Sequence, residues 1–209
     1  MRQCFSALKY LHENKISHRY VKKILITVRD IKPENFLLKN KDDISNIKLI
    51  DFGLSKDFSE AEIMQTPSGS PYYIAPEVFQ QKYDNKCDMW SMGVVLYIML
   101  SGKVPFPGEC NKEIIENVMK GEYHYQHDSF KNVSEEAKDL ISKLLLKDPV
   151  KRLSAEDAYN HPWIQKSEVD TQIVGAEVID NMNVFVNSMK LKKTTLTYLA
   201  TPSTKADSR

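Results

Sequence analysis

The chain has 209 residues, with 29 Lys and Arg against 28 Asp and Glu, and 42% of its residues are hydrophobic. This composition excludes collagen, a fully disordered chain and a strongly basic nucleic-acid-binding protein, and it indicates a domain of about 150 residues with an appendage, or two small domains. The three cysteines form an odd, widely spaced set, and neither a signal peptide nor a transmembrane segment is evident. We therefore expect a cytoplasmic protein without a nucleic-acid partner.

The predicted elements begin with an amphipathic helix, because apolar residues recur at three- and four-residue intervals from Met1 to Leu11. Short runs rich in branched residues predict strands at 24–28, 36–38 and 47–50. Residues 88–101 are apolar nearly all round and predict a buried central helix, and one-sided patterns predict helices at 112–119, 134–146 and 154–159. Ser134 and Ser154 are suitable N-caps. We expect a mostly α fold with a few short strands.

Three short polar clusters, at 29–35, 51–53 and 75–77, hold side chains that a fold alone would not require. Asp30, Asn35 and Asp51 could together place oxygen ligands around Mg²⁺, which prefers carboxylate, amide and phosphate oxygens. Asp30 could also accept a hydroxyl proton, and Lys32 could neutralise charge on a transferred phosphoryl group. A carboxylate, a lysine and two metal ligands indicate phosphoryl transfer.

The order and spacing of these clusters resemble the catalytic loop, the metal-binding Asp-Phe-Gly and the Ala-Pro-Glu of protein kinases, and the resemblance covers 1–164. It implies a mostly α, protein-kinase-like carboxy-terminal lobe, with a few short β-strands near the catalytic loop. Asp30 would be the catalytic base and Lys32 the phosphate contact typical of serine/threonine kinases. Asn35 and Asp51 would be the Mg²⁺ ligands, with ATP as the nucleotide.

The same resemblance implies supporting roles for other residues. Leu37 would lie under the adenine. Glu77 and Arg152 would form an ion pair that fixes the substrate-binding segment, and Asp88 would brace the catalytic loop from the central helix. His18 and Arg29 would also be structural supports.

Two further residues are implied in recognition of a protein substrate. Ser70 occupies the position near the acceptor hydroxyl, and Glu34 indicates a basic residue near the acceptor in the substrate. Thr66, Ser68 or Ser70 could be phosphorylated, with Arg29 as the cationic partner, although an ordinary Ser/Thr-rich loop remains the alternative.

The carboxyl-terminal part differs in charge, since residues 183–209 carry a net +4 and the preceding 182 residues a net −3. Residues 183–200 form a basic amphipathic segment, after a linker at 165–182 and before a disordered tail at 201–209. Such a segment either lays its apolar face into a partner's groove or docks on its own domain. It is similar to the junction of calcium-dependent protein kinases, which implies a calmodulin-like calcium sensor as partner. The chain has no EF-hand loop with which to bind calcium itself.

The sequence departs from the kinase pattern in two ways. No Gly-x-Gly-x-x-Gly array and no Val-Ala-Ile-Lys strand is present, so we expect the amino-terminal lobe to be missing and this polypeptide alone to have negligible activity. Residues 20–29 separate His18-Arg19 from Asp30, and deleting them restores the expected His-Arg-Asp. A retained in-frame intron would explain this insert. With a genuine insert, the family pattern no longer defines the position of Asp30 relative to Asp51. The alternative function is a catalytically inactive kinase-like binding or regulatory module.

Overall fold

The computed structural model describes residues 1–13, 36–40, 43–49, 71–80, 83–166, 178 and 180–188. The helices with defined bounds are α1 (Arg2–Glu13), α2 (Pro76–Phe79), α3 (Lys86–Ser101), α4 (Asn111–Lys120), α5 (Glu135–Leu144), α6 (Ala155–Tyr159) and α7 (Pro162–Gln165). Short 3-10 helices cover Pro71–Tyr73 and Asp128–Phe130, and residues 180–188 are also helical. The mostly α fold predicted from the sequence is confirmed for these parts of the chain.

Two strands form an antiparallel pair, β1 (Phe36–Asn40) with β2 (Asp43–Leu49). Phe36 pairs with Leu49 at one end, and an irregularity of register lies between Leu38 and Asn40. The predicted runs at 36–38 and 47–50 correspond to these strands. The predicted strand at 24–28 lies outside the described residues.

The core is built around α3, whose apolar residues occupy its whole circumference. Met89, Trp90 and Met92 are fully buried. Gly93 allows the end of α5 to approach closely, because a Cβ there would lie 2.8 Å from Leu145 Cδ2 and 2.9 Å from Leu144 Cβ. Helix α1 packs on α6 on another side of the core. None of the helices in the described ranges has the length and apolar character needed to cross a membrane.

Side-chain caps explain where two helices begin. Ser134 Oγ accepts a hydrogen bond from the Ala137 N–H at the start of α5. At the start of α6, Ser154 and Asp157 form a reciprocal capping box. The capping box supplies partners for amide groups that have none within the helix.

Aromatic rings pack between α3 and the segments that precede and follow α4. Tyr97 lies with its centroid 4.9 Å from that of Phe130, and Trp90 stacks on Phe106 at 5.2 Å. The Tyr97 hydroxyl donates to the His124 carbonyl at 2.7 Å. Burial, with a smaller contribution from Tyr123, raises the pKa of Tyr97 to about 12.

Candidate functional site

The described residues include the supporting half of the predicted site rather than its reacting groups. Leu37 lies in β1, where its backbone pairs with Lys48 of β2. The following predicted residues lie outside the described ranges: His18, Arg29, Asp30, Lys32, Glu34, Asn35, Asp51 and Ser70. Glu77, Asp88 and Arg152 are described with their side chains.

The segment at 71–79 is held in a defined conformation against the core. Tyr72 and Tyr73 are buried in the 3-10 turn, and Pro76 begins α2 at a position where its missing N–H removes no helical hydrogen bond. Ser91 Oγ of α3 donates to the Tyr73 carbonyl at 2.7 Å. The central helix therefore fixes the backbone of this segment, and Glu77 in the first turn of α2 points into the protein and is buried.

Glu77 and Arg152 form a bidentate ion pair. Arg152 Nη1 donates to Glu77 Oε1 at 2.5 Å, and Nη2 donates to Oε2 at 3.0 Å. The relative exposure of the two side chains is 0% for Arg152 and 6% for Glu77. The planar guanidinium fits a carboxylate in this geometry, which a lysine could not reproduce.

Three more contacts fix the guanidinium of Arg152. Its Nε donates to the Leu146 carbonyl at 2.9 Å, and Nη1 also donates to the Lys86 carbonyl at 2.8 Å. Its Cζ lies 5.2 Å from the ring centroid of Trp90. The pairing with Lys86 is reciprocal, because the Lys86 ammonium group donates a hydrogen bond to the Arg152 carbonyl. Arg152 thus connects α2, the start of α3 and the segment after α5.

Asp88 lies in the first turn of α3 and is completely buried. Its Oδ2 lies 2.9 Å from His12 Nε2, in the last turn of α1. The acid is near a helix amino terminus and the imidazole near a helix carboxyl terminus, the arrangement that helix dipoles favour. This contact connects α1 to the central helix.

The structure brings together two of the predicted residues, Glu77 and Arg152. Asp88 lies in the first turn of α3, the same turn whose Lys86 carbonyl accepts a hydrogen bond from Arg152. Sequence reasoning missed Lys86 and His12 as their partners. A signal existed for Lys86, since a basic residue at the first position of a helix opposes the helix dipole and needs another reason to be there. Within the described ranges no cluster of His, Cys, Asp or Glu could hold a metal ion. What this arrangement can do is hold the segment at 71–79 rigidly.

Comparisons with known proteins agree with these features. The family model described as "Protein kinase domain" matches residues 1–164. The chain is 42% identical over 211 residues to calcium-dependent protein kinase 3 of Plasmodium berghei, covering 99% of this chain and 36% of the relative. It is 41% identical over 214 residues to calcium-dependent protein kinase 4 of Plasmodium falciparum, covering 99% and 38%.

A plant relative gives a similar match. Calcium-dependent protein kinase 21 of Arabidopsis thaliana is 42% identical over 172 residues, which cover 82% of this chain and 32% of that protein. The chain therefore spans about a third of the length of the curated relatives it matches.

Proposed function

The chain belongs to the protein kinase family, and on that premise we propose that it is the carboxy-terminal lobe and regulatory junction of a serine/threonine kinase. In the intact enzyme the γ-phosphate of MgATP is transferred to a Ser or Thr hydroxyl of a protein with basic residues near the acceptor. The observation that carries this proposal is the ordered set of kinase motifs across 1–164, together with the buried Glu77–Arg152 pair on its third motif. The odd set of three cysteines supports a reducing compartment, the cytoplasm.

In the proposed reaction Asp30 accepts the proton of the substrate hydroxyl as the hydroxyl oxygen attacks the γ-phosphorus of ATP, and the bond between that phosphorus and the β–γ bridging oxygen breaks to release ADP. Lys32 neutralises the charge that develops on the transferred phosphoryl group. Asn35 and Asp51 carry amide and carboxylate oxygens, the donors that suit Mg²⁺, and would hold it. When bound, Mg²⁺ neutralises charge on the nucleotide phosphates.

The supporting residues position the substrate in this proposal. Glu34 attracts a basic side chain of the substrate, and Ser70 takes part in recognition near the acceptor hydroxyl. The Glu77–Arg152 pair keeps the segment after Ser70 in place, so that binding energy is not spent on ordering it.

A chimera tests the proposal. The amino-terminal lobe of a calcium-dependent kinase relative is joined to residues 1–164, with and without residues 20–29, and assayed with ATP and a basic peptide. We expect the version without 20–29 to transfer phosphate, and Asp30→Asn to lower the rate at least about a hundredfold, as loss of a general base does. Asp128→Asn, an exposed acid, is the control. A chimera that unfolds cooperatively yet shows no Asp30-dependent transfer would refute the proposal.

For the 209-residue polypeptide alone we expect negligible phosphotransfer, because it has neither a glycine-rich loop nor the lysine that pairs with the phosphates. Turnover by the purified chain that Asp30→Asn abolishes would contradict this expectation.

A non-catalytic module that binds partners through its basic junction is the second candidate. The interruption between His18-Arg19 and Asp30 favours it. In either case we propose that residues 183–200 meet a calmodulin-like calcium sensor, on the strength of their apolar and basic pattern and of the relatives' names.

A further inference from the structure

The helix at 180–188 lies against the lobe through one of its faces. Phe185 is only 4% exposed and belongs to the same buried cluster as the central helix. Met182 and Val186 are partly buried against that cluster. Val184, one position before Phe185, is 62% exposed. The apolar residues at the start of the predicted junction are therefore divided between a docked face and an exposed one.

A polar contact holds the beginning of this helix in register. Asn181 Nδ2 donates to the Met99 carbonyl at 3.2 Å. Met99 lies in the last turn of α3, where carbonyl groups have no partner within the helix. Helix α3 is followed by Gly102 in the left-handed conformation, and a Cβ at Gly102 would lie 3.3 Å from the Asn181 carbonyl oxygen. The backbone at Asn181 thus packs directly on the end of the central helix.

We propose that residues 180–188 are a fixed part of the lobe, and that the surface offered to a calcium sensor begins after Ser188. This inference rests on the sensor interaction in the proposed function. It moves the start of the sensor-binding segment from residue 183 to the residue after Ser188. A sensor of the calmodulin type takes apolar anchors from one face of a basic helix. Phe185 already has its apolar environment in the lobe, so withdrawing it would expose a buried aromatic ring to water.

The sequence after Ser188 retains what such a sensor needs. Between residues 189 and 200 it supplies apolar anchors together with three lysines within four positions, namely Met189, Leu196, Leu199, Lys190, Lys192 and Lys193. No part of the docked face is required to complete that pattern.

Two matched substitutions test the docking in the full 209-residue chain. Asn181→Asp replaces the donor to Met99 with a carboxylate at the negative end of α3. Asn183→Asp makes the same chemical change on the exposed face. The readout is amide hydrogen exchange at 182–188. We expect Asn181→Asp to accelerate exchange roughly tenfold relative to Asn183→Asp, from one lost hydrogen bond and one unfavourable charge. Equal exchange in the two variants would overturn the docking.

The boundary is tested on the unaltered chain with calcium-loaded calmodulin as the probe. We expect protection at 182–188 to change by less than about twofold, while exchange slows after Ser188. Loss of protection at 182–188, or a large loss of calmodulin affinity in Phe185→Ala, would show that the sensor takes Phe185 and would overturn the boundary. If calmodulin changes exchange nowhere, the sensor part of the proposed function fails and the boundary fails with it. The comparison of the Asn181 and Asn183 variants still decides the docking separately.

Discussion

Replacing Glu77 by Gln would leave the guanidinium of Arg152 buried without its counter-charge. The side chains keep nearly the same shape, so the change acts on charge rather than on packing. Arg152 would retain its hydrogen bonds to the carbonyl groups of Leu146 and Lys86, and the amide oxygen of the new Gln could still accept one bond.

The expected loss of folding stability follows from the burial of the Glu77–Arg152 pair. Breaking a buried ion pair by removing one partner costs about 3–5 kcal/mol, because the remaining charge stays desolvated. The retained hydrogen bonds place Glu77→Gln at the lower end, about 3 kcal/mol, which is roughly a 150-fold change in the folding equilibrium. With a urea dependence of about 2 kcal/mol per M, the unfolding midpoint should fall by roughly 1.5 M.

Urea unfolding of the purified chain, followed by circular dichroism and by tryptophan fluorescence, measures this midpoint. Glu135→Gln is the matched control, because Glu135 lies 2.7 Å from Lys138 but its side chain is 87% exposed. Exposed pairs of this kind contribute little, so the control should show no resolvable shift. Equal midpoints for the two variants would refute the reasoning that burial makes the Glu77–Arg152 pair a constraint on the fold.

Three further outcomes are expected. Gly102→Ala and Gly121→Ala should each cost about 1 kcal/mol in thermal unfolding, since both residues have positive φ, of 69° and 73°; only the first should also speed hydrogen exchange at 180–188, and equal effects on that exchange would count against the docked helix. Spectrophotometric titration should show Tyr97 ionising near pH 12 instead of its ordinary 10.0, and Tyr97→Phe should remove that late step; an unchanged titration curve would contradict it. The Ser154 hydroxyl lowers the pKa of Asp157 below its ordinary 3.8, so the carboxylate stabilises the fold above that value and this contribution is lost as pH falls through the lower, folded-state pKa; the stability difference from Asp157→Asn should therefore shrink in acid, and a difference that stays constant there would be the contrary result.

Local patterns in the sequence predicted the helical elements well. The spacing of apolar residues from Met1 to Leu11 located α1, which covers Arg2–Glu13, and the all-round apolar run located α3. Ser134 and Ser154 were identified as caps because a hydroxyl before a helical pattern has a local mechanism. These features depend on residues close together in the chain.

Contacts between distant residues could not be predicted in the same way. The pairing of His12 with Asp88 joins positions 76 residues apart, and that of Lys86 with Arg152 joins positions 66 apart. Only the packing of helices brings those groups together. Resemblance to a family gave the Glu77–Arg152 pair an expected role, but it could not identify the partners that surround it.

The sequence could not show which apolar residues at the start of the junction are buried against the lobe and which are exposed, for a related reason. Val184 and Phe185 are adjacent and apolar, so an amphipathic pattern assigns both to one surface. Adjacent residues on a helix point in directions about 100° apart, and only the shape of the lobe decides which of them is covered.

The atoms that receive the hydrogen bonds of Arg152 have a consequence for how this protein can vary. Two of them are main-chain oxygens, at positions 146 and 86, which every amino acid supplies. Replacing the side chain at 146 therefore leaves its acceptor in place, whereas no other residue at 152 offers a forked set of donors. In a library of random variants, we expect positions 86 and 146 to accept many more substitutions than position 152, where arginine should be among the least replaceable residues of the chain.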